Sequence, residues 1–85
     1  MPRIQIYTGP GCPYCDRAKM LLQKKGAKFE EINIRADLSK RQEMISKTGG
    51  KQSIPQIFID GKHIGGCDEL YALDAKGGLD PLLAS

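Results

Sequence analysis

Apolar and polar positions alternate from Arg3 to Thr8, where Ile4 and Ile6 flank Gln5, and this period of two predicts a first strand. Gly9, Pro10 and Gly11 end it. The period then lengthens. Pro13 suits the first turn of a helix, where a missing N–H costs little, and Ala18, Met20, Leu21 and Leu22 supply an apolar face as far as Lys25, with Gly26 as the stop. Alternation returns in AKFEEINI, Ala27 to Ile34, with Phe29 and Ile32 or Ile34 as core candidates, so a helical crossover joins two strands in a βαβ unit.

Asp37 or Ser39 can cap a second helix running to about Thr48, with Met44 and Ile45 inward and Gly49 and Gly50 ending it. QIFID reads as a strand, Asp60-Gly61 as a hairpin turn and KHI as the returning strand. CDELYALDAK, from Cys67 to Lys76, fits a short third helix through Leu70, Tyr71 and Leu73, closed by Gly77 and Gly78. The order is β-α-β-α-β-β-α, with no linker or repeat, which predicts one α/β domain across residues 1–85. Met20, Phe29, Phe58 and Tyr71 count as core, and His63 as a structural or surface histidine. Tyr7 fits either the core or the surroundings of a site.

With 40% hydrophobic and 27% charged residues the chain reads as a soluble globular protein, not a disordered one. The net charge of +3 is spread among acids rather than gathered into a block, and stacking aromatics are few, so a nucleic-acid partner is not expected. No apolar run approaches a membrane span, and the start, MPRIQIYTG, lacks the apolar core of a signal peptide, so the cytoplasm is the expected compartment. Three cysteines do not make a complete set of internal disulfides, which shifts weight toward chemistry at the close pair, Cys12 and Cys15.

A cysteine reacts as its thiolate, and a free thiol is mostly protonated at neutral pH. Cys12 stands just ahead of Pro13, where the unpaired N–H groups and dipole of a helix start favour a negative sulfur, and Cys15 lies one turn further in on the same face. That asymmetry makes Cys12 the attacking nucleophile and Cys15 a resolving thiol. Arg17 and Lys19 read as solvated helix surface. A zinc or iron–sulfur half-site needs two further ligands, and only Cys67 and His63 remain to supply them.

CPYC at Cys12 to Cys15, SIPQIFIDG at Ser53 to Gly61 and IGGCDEL at Ile64 to Leu70 together resemble the three site segments of dithiol glutaredoxins of the short bacterial type. The resemblance covers nearly the whole chain. It implies a thioredoxin-like fold, a four-stranded mixed sheet flanked by three helices, and a glutathione-dependent thiol–disulfide oxidoreductase that reduces protein disulfides and protein–glutathione mixed disulfides. Glutathione is then the reducing co-substrate, no cofactor is held permanently, and no metal site is implied. The implied glutathione site comprises Tyr14, Ile54, Pro55, Gly66, Cys67 and Asp68. The Ile54–Pro55 bond is implied to be cis, turning the main chain of Ile54 toward an added tripeptide strand, while the amides of Cys67 and Asp68 hold the γ-glutamyl carboxylate and the Asp68 carboxylate its amine.

Many relatives carry a lysine a few residues before the first cysteine, where this chain has Gly9, Pro10 and Gly11. Lys40, Arg41 or Gln52 stand in as candidates for the glycyl carboxylate. The resemblance further implies disulfide-bonded or glutathionylated clients, such as a ribonucleotide reductase, and action as a monomer. Two rivals remain: a redoxin reduced by thioredoxin reductase, against which Asp68 and the GGCD context argue, and an iron–sulfur carrier holding a cluster through Cys12. Carriers typically have Gly-Phe-Ser after the cysteine, whereas here Pro13 stiffens the loop.

Overall fold

The computed structural model describes residues 2–84. Its strands are β1 (Ile4–Thr8), β2 (Glu30–Asn33), β3 (Gln56–Ile59) and β4 (Lys62–Gly65), and its helices α1 (Pro13–Lys24), α2 (Leu38–Lys47), α3 (Cys67–Ala75) and α4 (Leu79–Ala84). The strands form one mixed sheet in the order β2-β1-β3-β4. β1 runs parallel to β2 and antiparallel to β3, and β3 pairs antiparallel with β4. The crossover through α1 supplies the parallel pair, and a two-residue turn at Asp60 and Gly61, both at positive φ (51° and 81°), closes the hairpin. This is the thioredoxin-like architecture expected, and α4 adds a helix beyond the three anticipated.

Alternation along β1 and β3 sorts their side chains into two cores. Ile4, Ile6, Ile57 and Ile59 pack with Ala18, Leu21 and Leu22 of α1, Leu70 of α3 and Leu79 of α4. On the opposite face Tyr7 and Phe58 pack with Ile34 and Met44. Both faces of the central strands are therefore covered, and every residue of β3 is buried. Tyr7 belongs wholly to this second core. Its hydroxyl donates to Glu43 and accepts from Lys47 Nζ at 3.2 Å, and its ring meets Phe58 edge-on at 5.7 Å.

Two expected core residues lie outside. Met20 is 64% exposed, because it sits between Lys19 and Leu21 on the side of α1 turned from the sheet. Tyr71 is 37% exposed and instead lies across the surface, donating from its hydroxyl to the carbonyl of Arg17 at 2.9 Å. Phe29 precedes β2 and packs half-buried against the first core.

Asp37 caps α2, its carboxylate accepting from the Ser39 amide at 2.9 Å. α4 is too short for periodicity to announce, and Pro81 sits within its first turn, where the absent N–H has no helical partner to lose. Leu79 is fully buried, and Lys25 at the end of α1 pairs with both Asp74 (2.9 Å) and Asp80 (3.0 Å), drawing α1, α3 and α4 together. Among the described residues no helix is long and apolar enough to cross a membrane.

Candidate functional site

Cys12 is the N-cap of α1, held extended at φ −109° and ψ 101° after the turn at Gly11. Its sulfur accepts a hydrogen bond from the Cys15 amide at 3.1 Å and lies 3.9 Å from the carbonyl oxygen of Ile54. An amide aimed at sulfur from the first helical turn, where N–H groups lack helical partners, is suited to a negative sulfur. Cys12 is partly exposed, whereas Cys15 is 1% exposed against the sheet, and both thiols are free. Burial, reinforced by the hydrogen bond with Cys12 and opposed by a backbone hydrogen bond from Gly9, pushes the Cys15 thiol up to about 12. It stays protonated at neutral pH.

The Ile54–Pro55 peptide bond is cis. Beside it opens a cleft of about 190 Å³ whose walls include Tyr14, Ile54, Pro55, Gly66, Cys67 and Asp68, so all six residues implied for the glutathione site meet in one place. Three chain segments build it: the first turn of α1, the loop into β3, and the start of α3. A Cβ on Gly66 would approach the Pro55 carbonyl oxygen to 3.2 Å, so the absence of a side chain there allows the last two segments to close on each other. The Gly66 amide is already occupied, donating to Glu69 Oε1 at 2.8 Å, so the first amides of α3 without a helical partner begin at Cys67, a residue of the cleft wall. Cys67 is buried, and that burial raises its thiol against the opposing charge of Arg17. Arg17 stands near both Tyr14 and Tyr71, its guanidinium 5.9 and 5.8 Å from their ring centres.

The cleft also contains Lys51, Ser53, Gln56 and Glu69, which sequence reasoning did not single out. Gln56 carried a signal, being the one polar residue of an otherwise apolar strand. It is 2% exposed and fully used. Its Nε2 donates to the carbonyl (3.0 Å) and hydroxyl (3.1 Å) oxygens of Ser53, and its Oε1 meets His63 Nε2 at 2.7 Å. Because Gln56 presents only an acceptor there, His63 Nε2 carries the proton. His63 stacks on Phe58 at 4.9 Å, and so ties β4 to the loop before Pro55.

Of the candidates for the glycyl carboxylate, Lys40 turns to Glu43 at 3.7 Å and lines neither the cleft nor the cavity next to it. Arg41 and Gln52 hydrogen-bond to each other at 2.9 Å and line that second cavity, which adjoins the cleft at Ile54. Arg35, unremarked in the sequence, lines it with them.

A profile of the Glutaredoxin family matches residues 4–64. The chain is 60% identical to Glutaredoxin 3 of Escherichia coli K12 over 83 residues, covering 98% of this chain and 99% of the relative. Among solved structures, the glutaredoxin of Brucella melitensis superposes with a TM-score of 0.82 at 54% identity, over 95% of this chain and 87% of the other. A buckwheat glutaredoxin–glutathione complex superposes with a TM-score of 0.89 at 30% identity, over 98% and 77%. With a half-exposed sulfur at a helix start, a buried partner thiol one turn on and a cis-proline loop opposite, the chain belongs to the glutaredoxin family.

Proposed function

We propose that Cys12 is the nucleophile and Cys15 the resolving thiol of the glutathione-dependent thiol–disulfide exchange that family membership gives this chain. The observation that supports this most is the asymmetry of the pair: an accessible sulfur receiving an amide hydrogen bond beside a buried thiol kept protonated. Cys12 thiolate attacks the glutathione sulfur of a mixed disulfide. A Cys12–glutathione bond forms as the client's S–S bond breaks, and the client sulfur leaves as a thiolate that takes a proton from water. A second glutathione thiolate then attacks the bound glutathione sulfur, restoring Cys12 and releasing oxidised glutathione. With a protein disulfide, Cys15 gives up its proton and attacks Cys12 in the mixed disulfide, releasing reduced client; two glutathiones reopen the Cys12–Cys15 bond.

Glutathione lies extended along Ile54, whose main chain it joins as an added strand, with Pro55 and Gly66 shaping the groove and Tyr14 beside the sulfur. The amides of Cys67 and Asp68 receive the γ-glutamyl carboxylate and the Asp68 carboxylate its amine. Glutaredoxins use glutathione as reductant and need no permanent cofactor. The chain works as a cytoplasmic monomer on glutathionylated or disulfide-bonded proteins, a ribonucleotide reductase among the candidates.

The test is glutathione-dependent reduction of a small mixed disulfide, coupled to glutathione reductase and NADPH, in wild type, Cys12→Ser and Cys15→Ser. Activity that needs glutathione and Cys12, survives loss of Cys15 on mixed disulfides and fails without Cys15 on protein disulfides is expected. Reduction only with thioredoxin reductase would move the chain to that redoxin class. A brown, visibly absorbing protein after anaerobic purification, inactive in both assays, would make it a cluster carrier.

A further inference from the structure

Glutathione ends in a glycyl carboxylate, and the position of Arg35 points to its receiver. A Cβ built on Gly9 would lie 2.9 Å from Ile54 Cδ1 and 3.4 Å from Arg35 Nε, so the head of Arg35 rests over the bare backbone of Gly9 and against the loop that carries Ile54. The turn that delivers it is pinned by Asn33, whose side-chain oxygen accepts from the Arg35 amide at 2.8 Å and the Ala36 amide at 3.2 Å. Arg35, Arg41, Gln52 and Ile54 line a cavity of about 400 Å³, and Ile54 is also a wall of the cleft that reaches the start of α3. An extended tripeptide spans about 10 Å at ~3.3 Å per residue, enough to cross the single shared residue from one cavity into the other.

Neither guanidinium is committed elsewhere by charge. Among the described residues no carboxylate pairs with Arg35 or Arg41, and Arg41 is held only by Gln52 at 2.9 Å. By contrast Lys19, Lys25 and Lys40 are all paired with acids. An arginine fork matches a carboxylate with two parallel N–H bonds. We propose that Arg35, lying over Gly9 and flanked by Arg41, is the specificity residue for the glycyl carboxylate of glutathione. The proposal rests on the glutathione reading above.

The test uses the Cys15→Ser protein, in which Cys12 thiolate attacks one sulfur of glutathione disulfide. A Cys12–glutathione bond forms, the original S–S bond breaks, and one glutathione leaves as a thiolate that is protonated by solvent. The second-order rate is followed by mass spectrometry for three disulfides: glutathione disulfide, its diester blocked at both glycyl carboxylates, and hydroxyethyl disulfide. With Arg35 present, the free acid is expected to react about fivefold faster than the ester. Arg35→Gln should bring the acid down to the rate of the ester, while Arg35→Lys, which keeps the charge, should preserve part of the gap. An acid–ester gap undiminished in Arg35→Gln would overturn the proposal and assign the cation elsewhere. Glutathione disulfide reacting no faster than hydroxyethyl disulfide in the Arg35-containing protein would overturn the glutathione reading itself.

Discussion

The amide of Cys15 donates to the sulfur of Cys12 at 3.1 Å, while the side chain of Cys15 is sealed against the sheet. One residue thus meets the first sulfur through its main chain and, on the reading proposed above, supplies the resolving thiol. The two roles separate under mutation. Cys15→Ser keeps the amide, so the rate of Cys12 alkylation by iodoacetamide at pH 7 should change by less than about threefold, against complete loss in Cys12→Ser. A rate falling to that of an unfolded cysteine peptide would show that the amide hydrogen bond does not set the reactivity of Cys12.

Burial raises the Cys15 thiol in the folded chain, so its neutral form is favoured by folding. That contribution is fully present below the unfolded thiol value of ~8.5 and is lost as pH rises toward the folded value. Under reducing conditions the urea midpoint should therefore fall from about pH 8.5 upward, and more steeply in wild type than in Cys15→Ala. Parallel slopes in the two proteins would remove Cys15 as the source.

The acid limb has the opposite sign. Glu31 is held below the usual carboxylate range first by the Thr8 hydroxyl, which donates at 2.8 Å, and next by Lys19 at 3.1 Å. Its charged form is favoured by folding, so its contribution is present above about pH 4.3 and disappears as pH falls through the lowered value. Thr8→Val removes the donor and should flatten the loss of stability between about pH 5 and pH 3, measured as the urea midpoint at each pH. An unchanged slope would assign the acid limb to other carboxylates.

Gln56 makes three hydrogen bonds at once, to Ser53 and His63, and Gln56→Leu would strand the His63 donor at a partly buried position beside Phe58. A cost of about 1–3 kcal/mol is expected, a drop of several degrees in Tm for a chain of this size. Because Ser53 is released from β3 next to Ile54, kcat/KM for a glutathione mixed disulfide should fall as well. Loss of stability with kcat/KM untouched would make Gln56 a purely structural residue.

Gly66→Ala introduces a Cβ 3.2 Å from the Pro55 oxygen in a backbone region open to any residue, φ −92°. The fold should survive with a loss of about 1 kcal/mol or less, while the groove between the Pro55 loop and α3 widens or skews. The expected readout is a several-fold rise in KM for a glutathione mixed disulfide at little-changed kcat. A KM within error of wild type would mean that this close approach does not shape the groove.

Much of the site was legible because its parts are local. The spacing of Cys12 and Cys15, Pro13 at a helix start, and Asp60-Gly61 between two apolar runs each act within a turn or two of chain, and near-neighbour geometry determines their outcome. The cap of α2 was narrowed to Asp37 or Ser39 in the same way, and the structure takes Asp37, with Ser39 as its donor. The basic residue was a different matter. The sequence offered Lys40, Arg41 or Gln52, whereas it is the turn through Asn33 that brings Arg35 over Gly9.

The sequence by itself determined the order of the four strands and the first three helices, which cysteine heads the first helix, and that three motifs exist. Tertiary structure alone decided that α2 covers the second face of β1 and β3, which buries Tyr7 with Phe58, and that the first core does not extend to Met20 or close over Tyr71. It also decided that Ile54, Gly66 and Tyr14, up to 52 residues apart in the chain (14 to 66), share one cleft. The physical reason is range. A cap, a turn or a helix dipole is satisfied by atoms a few residues away, whereas burial and the meeting of loops depend on how layers pack, which no local pattern encodes.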